Sequence, residues 1–336
     1  MKALITGVAG QDGTLLSQML LADGYEVVGI VKPDHDYSHY LKYAPTAEVL
    51  ECDLGDPNAL EQLVIDVAPD EIYNFGGISS LVEASANPEL THKINVVAVE
   101  AILAGMKTLA SRARGTTATV RFVQAASGTV FEGTEVSPQD ERTPCCPVTP
   151  YAVAKAQTLE LIDIARAQGL FAVAAILYNH ESPLRGESFV TRRITQGVAK
   201  IAAGQQEFLE LGNLDVSRDW GWAPDYVRGM RAMLAAKAPH DYVLATGQSH
   251  ELKDFIAQAF KAAGIADWQS VVRTNDDFRR QTDPTLLRGN SARAYKELGW
   301  QHTKSFEGIV EAMVAYDQLL LTEPDALWRE DLEGTS

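Results

Sequence analysis

The sequence is poor in cysteine and in positive charge. Its 336 residues include three cysteines, Cys52, Cys145 and Cys146, of which two are adjacent and none has the spacing of metal ligands. A disulfide framework is therefore excluded, and we expect no metal site. Asp and Glu number 45 against 29 Lys and Arg, which gives a net charge of -16. Nucleic-acid binding needs clustered Lys and Arg, so this balance argues against nucleic-acid partners.

The sequence also lacks a recognisable signal peptide, because a strand-like run begins at Lys2. We find no apolar stretch of the roughly 20 residues that a membrane-spanning helix needs. Hydrophobic residues make up 46% and charged residues 22%, which is typical of a soluble protein with an ample core. These features predict a cytoplasmic protein without a membrane partner. An anionic substrate would require Arg and Lys gathered locally against the overall charge.

Strand-like and helix-like segments alternate over the first half of the chain. The strand-like runs are short, apolar and separated by helical patterns, and they lie at 2–6, 26–31, 49–52, 71–75, 120–125 and 171–177. This alternation predicts an α/β fold with a Rossmann-type, doubly wound parallel sheet. Ligands of such sheets bind at the carboxyl ends of the strands. Beyond Tyr178 the sequence is richer in loops, which predicts a smaller C-terminal α/β substrate domain.

A glycine-rich turn links the first strand to a helical pattern over residues 14–22. Gly7, Gly10 and Gly13 would permit a tight turn, close approach of the backbone to a pyrophosphate and close helix–strand packing. Free N–H groups at the start of the helix would bind the phosphates. We therefore predict a dinucleotide site here that also includes Gln11 and Asp12.

Residues after the second, third and fourth strands bear on the kind of dinucleotide. Lys32 favours the 2′-phosphate of NADP, whereas Asp34 leaves NAD open. Asp53, followed by Leu54, could meet the adenine edge or could equally cap the next helix. Gly76 allows the backbone to approach the cofactor closely. We expect NADP, with NAD as the alternative.

Tyr151 and Lys155 lie four residues apart on a predicted helix and therefore share one face. An ammonium beside a phenol lowers the phenol pKa, so that the tyrosine can act as a base near neutral pH. A surface helix with a snorkelling lysine gives the same pattern. The glycine turn and Ser127, at the end of the fifth strand, favour the catalytic interpretation.

Longer strings resemble a known family. They run through most of the chain and include Gly-Gln-Asp-Gly at 10–13, Pro-Tyr-Ala-Val-Ala-Lys at 150–155, Asn-His-Glu-Ser-Pro at 179–183, Leu-Gly-Asn-Leu-Asp at 211–215 and Arg-Asp-Trp-Gly at 218–221. The chain resembles the extended short-chain dehydrogenase/reductases that act on nucleotide sugars, and most closely the GDP-mannose 4,6-dehydratase family. The resemblance implies an NAD(P)-binding domain at 1–178 and a GDP-sugar domain over 179–322 with some segments returning to the main sheet. From Thr322 the sequence turns acidic and polar, so we expect an acidic tail at 323–336 with frayed last residues.

The resemblance also implies roles for particular residues. Tyr151 would take the proton of the sugar 4-hydroxyl, Ser127 would hydrogen-bond the same oxygen, and Lys155 would hold the nicotinamide ribose. Further cofactor contacts would be Phe75, Tyr178 and His180. The substrate contacts would be Ser80, Asn179, Val190, Arg193, Gly212, Asn213, Arg218 and Arg279. Arginines suit a pyrophosphate because they bind it in bidentate fashion; Arg218 could instead form an ion pair with a neighbouring aspartate.

The chain departs from the family at Thr129, where its dehydratases carry a catalytic glutamate. A threonine hydroxyl has too high a pKa to act as a base at neutral pH. Glu132 and Glu135 could reach back into the site, although solvated loop positions are the simpler interpretation. Two outcomes stay open after oxidation at C4: loss of water, or a 4-epimerase or 4-keto-6-deoxyhexose reductase reaction. A non-catalytic nucleotide-sugar-binding protein is the third hypothesis.

The loop after the second strand departs as well. The family usually has two arginines there, which bind the 2′-phosphate and contribute to a tetramer, whereas this chain reads Lys-Pro-Asp-His-Asp-Tyr at 32–37. We therefore expect a homodimer formed through long helices and leave the tetramer open.

Overall fold

The protein forms strands and helices over residues 1–112, 119–275 and 286–329, which are the residues that this computed structural model describes. The strands are β1 Lys2–Thr6, β2 Glu26–Val31, β3 Glu48–Glu51, β4 Glu71–Asn74, β5 Arg121–Ala125, β6 Phe171–Leu177, β7 Asn179–Glu181, β8 Leu209–Leu211, β9 Ser217–Arg218, β10 Trp220–Trp222, β11 Tyr242–Leu244, β12 His250–Glu251, β13 Val272–Thr274 and β14 Leu286–Leu287. The α-helices are α1 Gln11–Ala22, α2 Ser38–Tyr43, α3 Pro57–Val67, α4 Leu81–Ala86, α5 Pro88–His92, α6 Ala98–Arg112, α7 Pro150–Ala167, α8 Val190–Ala202, α9 Ala223–Ala235, α10 Leu252–Ala262, α11 Ala292–Leu298 and α12 Phe306–Thr322. A π-helical turn, Lys93–Val97, joins α5 to α6, and a 3₁₀ turn, Gly128–Phe131, follows β5.

Seven parallel strands form the main sheet in the order β11-β6-β5-β4-β1-β2-β3. The strand order reverses beside β1, so the predicted doubly wound Rossmann topology is confirmed. All six predicted strands are present, with ends that differ by one residue at most. The seventh strand, β11, comes from the second half of the chain and pairs with β6. It is one of the segments expected to return to the main sheet.

Helices cover both faces of this sheet. On one face α1 and α9 pack over a core that includes Ile5, Tyr73 and Met230. On the other face α3, α6 and α7 cover a core that includes Ile72 and Phe122. Burial on both faces explains the nearly continuous apolar sequence of the strands.

The second lobe has its own core between α8, α10 and α12. Its small sheets pair β13 with β8 and place β9 between β12 and β14. Helical sequence patterns near 191–203, 224–236, 251–263 and 305–320 predict four helices. These correspond to α8, α9, α10 and α12, although α9 packs on the Rossmann core. Helix α11 was not predicted.

The stretch Pro88–Arg112 is long and apolar enough to cross a membrane by length and composition, with a mean hydropathy of 1.4 over its best window. The expectation that no such run exists was therefore wrong. Half of that window is buried inside the protein, and α6 packs along α3. Core helices of soluble proteins pass the same test, so the run is weak evidence for a membrane span.

The start of the acidic tail is docked, whereas the expected fraying concerns the last residues. The ring of Trp328 packs edge-on against that of Trp222 at a centroid separation of 5.5 Å. The backbone N–H of Trp328 donates to the hydroxyl of Tyr43. The hydroxyl of Tyr316 donates to the carbonyl of Ala326. Residues 323–329 therefore connect α2 of the first lobe with α12 of the second. Residues 330–336 lie outside the described residues.

A buried ion pair joins α8 and α12. Arg192 Nη2 lies 2.8 Å from Asp317 Oδ1, and both side chains are almost fully buried. Burial raises the pKa of Asp317 to about 6, although Arg192 and Thr195 oppose the rise. The folded protein therefore holds the Asp317 proton more tightly than the unfolded chain does.

Asp317 should make stability fall as pH rises from about 4 to 7, since ionising the buried carboxyl disfavours the folded state. The free energy of unfolding of the wild type, relative to Asp317→Asn, should drop by up to about 3 kcal/mol over this range. Urea unfolding at several pH values measures the difference. Asp325→Asn, at an exposed pair with Lys42, is the control and should show no such fall. If the free energy of unfolding of the wild type, relative to Asp317→Asn, stayed constant or grew with pH, Asp317 would not be the group responsible.

Candidate active site

The glycine turn after β1 has the backbone geometry of a phosphate cradle. Gly7 adopts a φ of +63°, and a Cβ on it would lie 2.8 Å from the amide nitrogen of Gly76. A Cβ on Gly13 would lie 2.5 Å from the carbonyl oxygen of Val8. Helix α1 begins directly after Gly10, and no side chain caps its first N–H groups. The turn therefore leaves donors at a helix N-terminus for a pyrophosphate, and the residues present fit a dinucleotide.

Gly7→Ala should weaken dinucleotide binding at least about tenfold, because Gly7 needs both a positive φ and close contact with Gly76. Gly24→Ala is the matched control. Gly24 has a φ of +77° with nothing within 4 Å of its would-be Cβ. An alanine there therefore adds only backbone strain, of about 1–2 kcal/mol, and no steric contact. Calorimetric titration with NADP and with NAD measures the loss. Equal affinities in the two variants would contradict the cradle.

Asp12 and His180 bind each other across the two lobes. Asp12 Oδ2 lies 2.9 Å from His180 Nε2, and His180 Nδ1 lies 2.8 Å from the carbonyl oxygen of Tyr178. Burial alone would raise the pKa of Asp12 and lower that of His180, but their mutual attraction reverses both shifts. Next to them, Ser182 donates to Gln11 Oε1 at 2.8 Å. Gln11, Asp12 and His180 were predicted as cofactor contacts, and in the structure they join the glycine turn to β7.

Residues predicted on the adenosine side lie at the ends of β2 and β3. Lys32 is exposed and begins the loop to α2. Asp53 is exposed and accepts a hydrogen bond from the Gly55 N–H at 2.8 Å. The suggestion that Asp53 caps the next helix was wrong, because Asp56 accepts from Ala59 N–H at the start of α3. Asp53 therefore stays at the strand end where an adenine could meet it.

The loop after β4 approaches the glycine turn. Phe75 and Gly76 are partly buried there, and Leu54 Cδ1 lies 2.5 Å from the would-be Cβ of Gly76. Asn95, in the π-helical turn, accepts from the Ile78 N–H at 2.8 Å and donates to the Ile78 carbonyl at 2.9 Å. This pair of bonds fixes the loop. Helical turns of this kind are frequent at functional sites.

Ser127, Tyr151 and Lys155 come together at the carboxyl end of β5. Thr149 and Pro150 begin α7, which turns Tyr151 and Lys155 toward this strand end. Ser127 hydrogen-bonds the phenol of Tyr151, and Lys155 Nζ lies 5.7 Å from the centre of the Tyr151 ring. Lys155 also donates to the Ala125 carbonyl at 2.7 Å. The predicted grouping is thus present.

The expected electrostatic effect of Lys155 on Tyr151 is not what the structure gives. Burial raises the pKa of Tyr151 above 10, opposed by the hydrogen bond with Ser127 and by the charge of Arg185. Burial likewise lowers the pKa of Lys155 to about 8. The lysine thus holds its proton less tightly than an exposed lysine does, and the cation whose charge opposes the rise in the phenol pKa is Arg185.

Comparisons with known proteins identify the family to which this site belongs. A family model described as GDP-mannose 4,6 dehydratase matches residues 4–313. The GDP-mannose 4,6 dehydratase of Drosophila melanogaster is 36% identical over an alignment of 352 positions, gaps included, which covers 96% of this chain and 88% of that protein. The enzyme of the same name from Sinorhizobium fredii is 36% identical over 341 residues, spanning 94% and 96%. The chain belongs to the GDP-mannose 4,6 dehydratase family.

A solved structure outside this family shares the fold. The UDP-glucose 4-epimerase of Bifidobacterium longum, in complex with NAD+ and UDP, matches with a TM-score of 0.80 at 20% identity. The match covers 97% of this chain and 99% of that chain. At this identity the likeness shows the Rossmann-type architecture and no more.

Thr129 is the residue of this site at which the chain departs from the GDP-mannose 4,6 dehydratase family. Its hydroxyl donates to Ser127 Oγ at 3.0 Å from the 3₁₀ turn after β5. Glu132 accepts from the N–H groups of Val148 and Thr149, so it holds the start of α7. Glu135 is exposed. Across residues 1–112, 119–275 and 286–329, no hydrogen bond in the structure joins a carboxylate to Ser127, Thr129 or the Tyr151 phenol.

The residues predicted to bind the sugar nucleotide lie on several elements of the second lobe. Asn179 begins β7, Val190 begins α8, and Arg193 on the same helix donates to the Glu210 carbonyl. Gly212 follows β8, and Asn213 accepts from the Asp215 N–H at 3.0 Å. These residues come from different elements, and their grouping around a nucleotide stays a prediction.

Two arginines were predicted to grip the nucleotide. Arg218, in β9, donates to the Ser217 carbonyl at 2.8 Å. Asp219 accepts instead from the N–H groups of Thr246 and Gly247, while Asp215 forms an ion pair with Lys253. The Arg279 prediction lies outside the described residues.

Ser80 and Tyr178 are used structurally. Ser80 caps α4 by accepting from the Glu83 N–H, so its hydroxyl is partly committed. The Tyr178 hydroxyl donates to Gln139 Oε1 at 2.6 Å, and the ring is buried. The side chain of Tyr178 thus lies in the core, and its main chain is the part that borders the site, because it carries the carbonyl bound by His180.

Sequence reasoning missed Arg185. Its Nε lies 3.2 Å from Glu181 Oε2, and its guanidinium lies 3.6 Å over the Phe189 ring. Its positive charge favours the ionised forms of Tyr151 and Asp12 and so lowers the pKa of each. Arg185 follows the matching string at 179–183 by two residues, and this position beside the string was the signal available.

Proposed function

We propose that the protein oxidises C4 of a GDP-hexose with a tightly bound nicotinamide cofactor. The observation that carries this proposal is the grouping of Ser127, Tyr151 and Lys155 at the carboxyl end of β5, beside a glycine cradle. Membership of the GDP-mannose 4,6 dehydratase family supports the nucleotide sugar.

Each of the three side chains has a distinct task in this proposal. Tyr151 removes the proton of the 4-hydroxyl, and Ser127 donates to or accepts from the same oxygen. Lys155, fixed by Ala125, binds the hydroxyls of the cofactor ribose. The bound nicotinamide supplies one function, which is to accept hydride from C4. The Arg185 charge favours the phenolate form of Tyr151.

We propose NADP as the cofactor, with NAD as the alternative. Lys32 lies at the end of β2, where a cation would meet a 2′-phosphate, while Asp34 two residues later would repel it. The NAD+ in the Bifidobacterium longum epimerase keeps the alternative open. The ratio of kcat/KM with NADP to kcat/KM with NAD decides which cofactor is preferred. If this ratio were the same in the wild type and in Lys32→Ala, Lys32 would have no part in choosing the cofactor.

For the step after oxidation we propose loss of water across C5 and C6, as in the 4,6-dehydratases of the family. The hydride taken from C4 would then return from the cofactor to C6, with a proton added at C5, so that the cofactor is regenerated. The second candidate is a GDP-hexose 4-epimerase or 4-keto-6-deoxyhexose reductase. It is favoured by Thr129, because a hydroxyl cannot serve as the base for the C5 proton. The 4-epimerase and reductase reactions require only the hydroxyl, tyrosine and lysine.

Mass spectrometry of a reaction with GDP-mannose and NADP separates the candidates. A dehydratase gives a 4-keto product lighter by one water. An epimerase gives a product of unchanged mass with a new retention time, and a reductase consumes reduced cofactor only when a 4-keto sugar is supplied. If no GDP-hexose is converted with either cofactor, the proposal fails and a non-catalytic binding role replaces it.

We further propose a homodimer in the cytoplasm. The three cysteines are unpaired, which fits a reducing compartment. Exposed apolar side chains on the outer face of α7, Val153 and Ile164, suit a contact between long helices of two copies. Sedimentation equilibrium tests the dimer, and a tetramer would show that the 32–37 loop does not prevent further assembly.

A further inference from the structure

A row of polar side chains crosses the apolar core of the main sheet. Thr6 of β1 is paired in register with Asn74 of β4, and Asn74 is paired with Gln124 of β5. The next positions outward are Ile30 on β2 and Ala174 on β6, so the row is confined to the three central strands. Each of the three side chains is at most 2% exposed. They share the sheet face that α3, α6 and α7 cover.

Hydrogen bonds run through this row without a break. Gly76 N–H donates to Thr6 Oγ1 at 2.9 Å, and the Thr6 hydroxyl donates to Asn74 Oδ1 at 2.5 Å. Asn74 Nδ2 donates to Gln124 Oε1 at 2.6 Å, and Gln124 Nε2 donates to the Ala125 carbonyl at 2.9 Å. Every donor points the same way along the row, which fixes the orientation of both amides.

Both ends of the row belong to the site. At one end, the amide nitrogen of Gly76 lies 2.8 Å from the would-be Cβ of Gly7 in the phosphate cradle. At the other end, the Ala125 carbonyl accepts from Gln124 and also from Lys155 Nζ at 2.7 Å. The row therefore connects the glycine turn to the lysine beneath the reacting end.

Stability alone does not account for three adjacent polar side chains here. The preceding row on the same face is formed by Leu4, Ile72 and Phe122, and an apolar row would pack beside it. Replacing both partners of a buried hydrogen bond by apolar groups is often neutral, whereas removing one partner is destabilising. A buried polar network that is fully satisfied instead gives a rigid and unique arrangement.

We propose that Gln124, held by Asn74 and Thr6, is a positioning residue that sets the place and the donor strength of Lys155 through the shared Ala125 carbonyl. This inference rests on the proposed function for its kinetic consequence but not for its structural one. Because Asn74 occupies the oxygen of Gln124, the Gln124 amide can only turn its N–H groups toward Ala125. The carbonyl then shares its lone pairs between a neutral donor and the lysine, which fixes the direction from which Lys155 approaches.

Gln124→Leu tests the role directly. Without the competing donor, the Ala125 carbonyl accepts more strongly from the ammonium form, so the Lys155 pKa should rise from about 8 toward its ordinary value. The lysine also loses its fixed direction, so kcat should fall about 10- to 100-fold with little change in KM for the GDP-sugar. Lysine ¹⁵Nζ NMR titration of the full chain reports the pKa without any turnover, with the Lys155 signal assigned by its loss in Lys155→Met.

Two further variants separate positioning from stability. Gln258→Leu removes a buried glutamine that bonds Glu311 in the second lobe, and it should lower the melting temperature without moving kcat or the Lys155 signal. The double variant Asn74→Leu with Gln124→Leu leaves no amide unpaired, so it should regain much of the stability lost in Gln124→Leu. Its kcat and Lys155 pKa should stay altered.

The outcomes are distinct. If Gln124→Leu lowers only the melting temperature, or if the double variant restores kcat together with stability, the positioning role is overturned. If the wild type converts no GDP-hexose, the proposed function fails, while the NMR titration still decides whether Gln124 controls Lys155.

Discussion

Tyr151→Phe should lower kcat by about 10²- to 10⁴-fold, because it removes the general base and leaves the ring in place. The Tyr151 phenol is held by Ser127 and lies near the charge of Arg185. Burial raises its pKa, so the wild-type rate should increase with pH as the phenolate forms. Steady-state kinetics from about pH 6 to 10 should show that rise in the wild type and a flat residual rate in Tyr151→Phe.

Tyr40→Phe is the matched control for Tyr151→Phe. Tyr40 is equally a tyrosine with a bonded hydroxyl, which donates to Ser17 Oγ at 2.9 Å in the core of the first lobe. Its loss should reduce stability by about 1 kcal/mol and leave the pH profile unchanged. A Tyr151→Phe enzyme that retains the wild-type rate and profile would show that another group takes the proton.

Thr129→Glu should raise the rate of water loss from the 4-keto sugar by about 10²-fold or more, since general acid–base catalysis contributes at least that much. Thr129 bonds Ser127 at 3.0 Å, so a carboxylate at this position would project into the same region. A glutamate there can remove the C5 proton and then deliver a proton to the departing C6 hydroxyl. Mass spectrometry of timed samples with GDP-mannose measures the water-depleted product.

Thr129→Gln controls for the size of the new side chain. It has the shape of glutamate without the base, so it should not accelerate water loss. Equal rates in the wild type, Thr129→Glu and Thr129→Gln would mean that the elimination base lies elsewhere in the chain. A wild type that already loses water as fast as Thr129→Glu would favour the dehydratase candidate and exclude Thr129 as its limitation.

The sheet and the catalytic group were predictable because their signals are local. An apolar run that ends at glycine fixes a strand end to within a residue, as at Thr6 and Gly7. The i,i+4 spacing of Tyr151 and Lys155 fixes a shared helix face in the same way. The family strings then predicted the second lobe, in which α8, α10 and α12 enclose the core.

Features that depend on distant contacts were not predictable. Asp12 and His180 are 168 residues apart, so nothing local shows that they neutralise each other. The Tyr178 side chain could point to the cofactor or to the core, and Gln139 decides for the core. Polar residues at three separate strand ends, such as Gln124, became one hydrogen-bonded row only when the register was known.

Charge effects were the other source of error. Sequence spacing suggested that Lys155 lowers the Tyr151 pKa, but spacing does not report burial. In the folded protein burial acts on both groups, which raises the pKa of Tyr151 and lowers that of Lys155 to about 8. Arg185, which lies near Tyr151 only after folding, supplies the opposing charge.

Transfer of deuterium from C4 tests the central claim most directly. GDP-mannose labelled with deuterium at C4 is incubated with the wild-type enzyme and its cofactor in ordinary water, and NMR follows the label. Oxidation by Ser127, Tyr151 and Lys155 predicts that deuterium passes from C4 to the cofactor. It then returns to C6 of a dehydratase product or to C4 of an epimer, and Tyr151→Phe should slow the transfer. Turnover in which deuterium never reaches the cofactor, and stays on C4 with the configuration of the substrate, would contradict oxidation at that carbon.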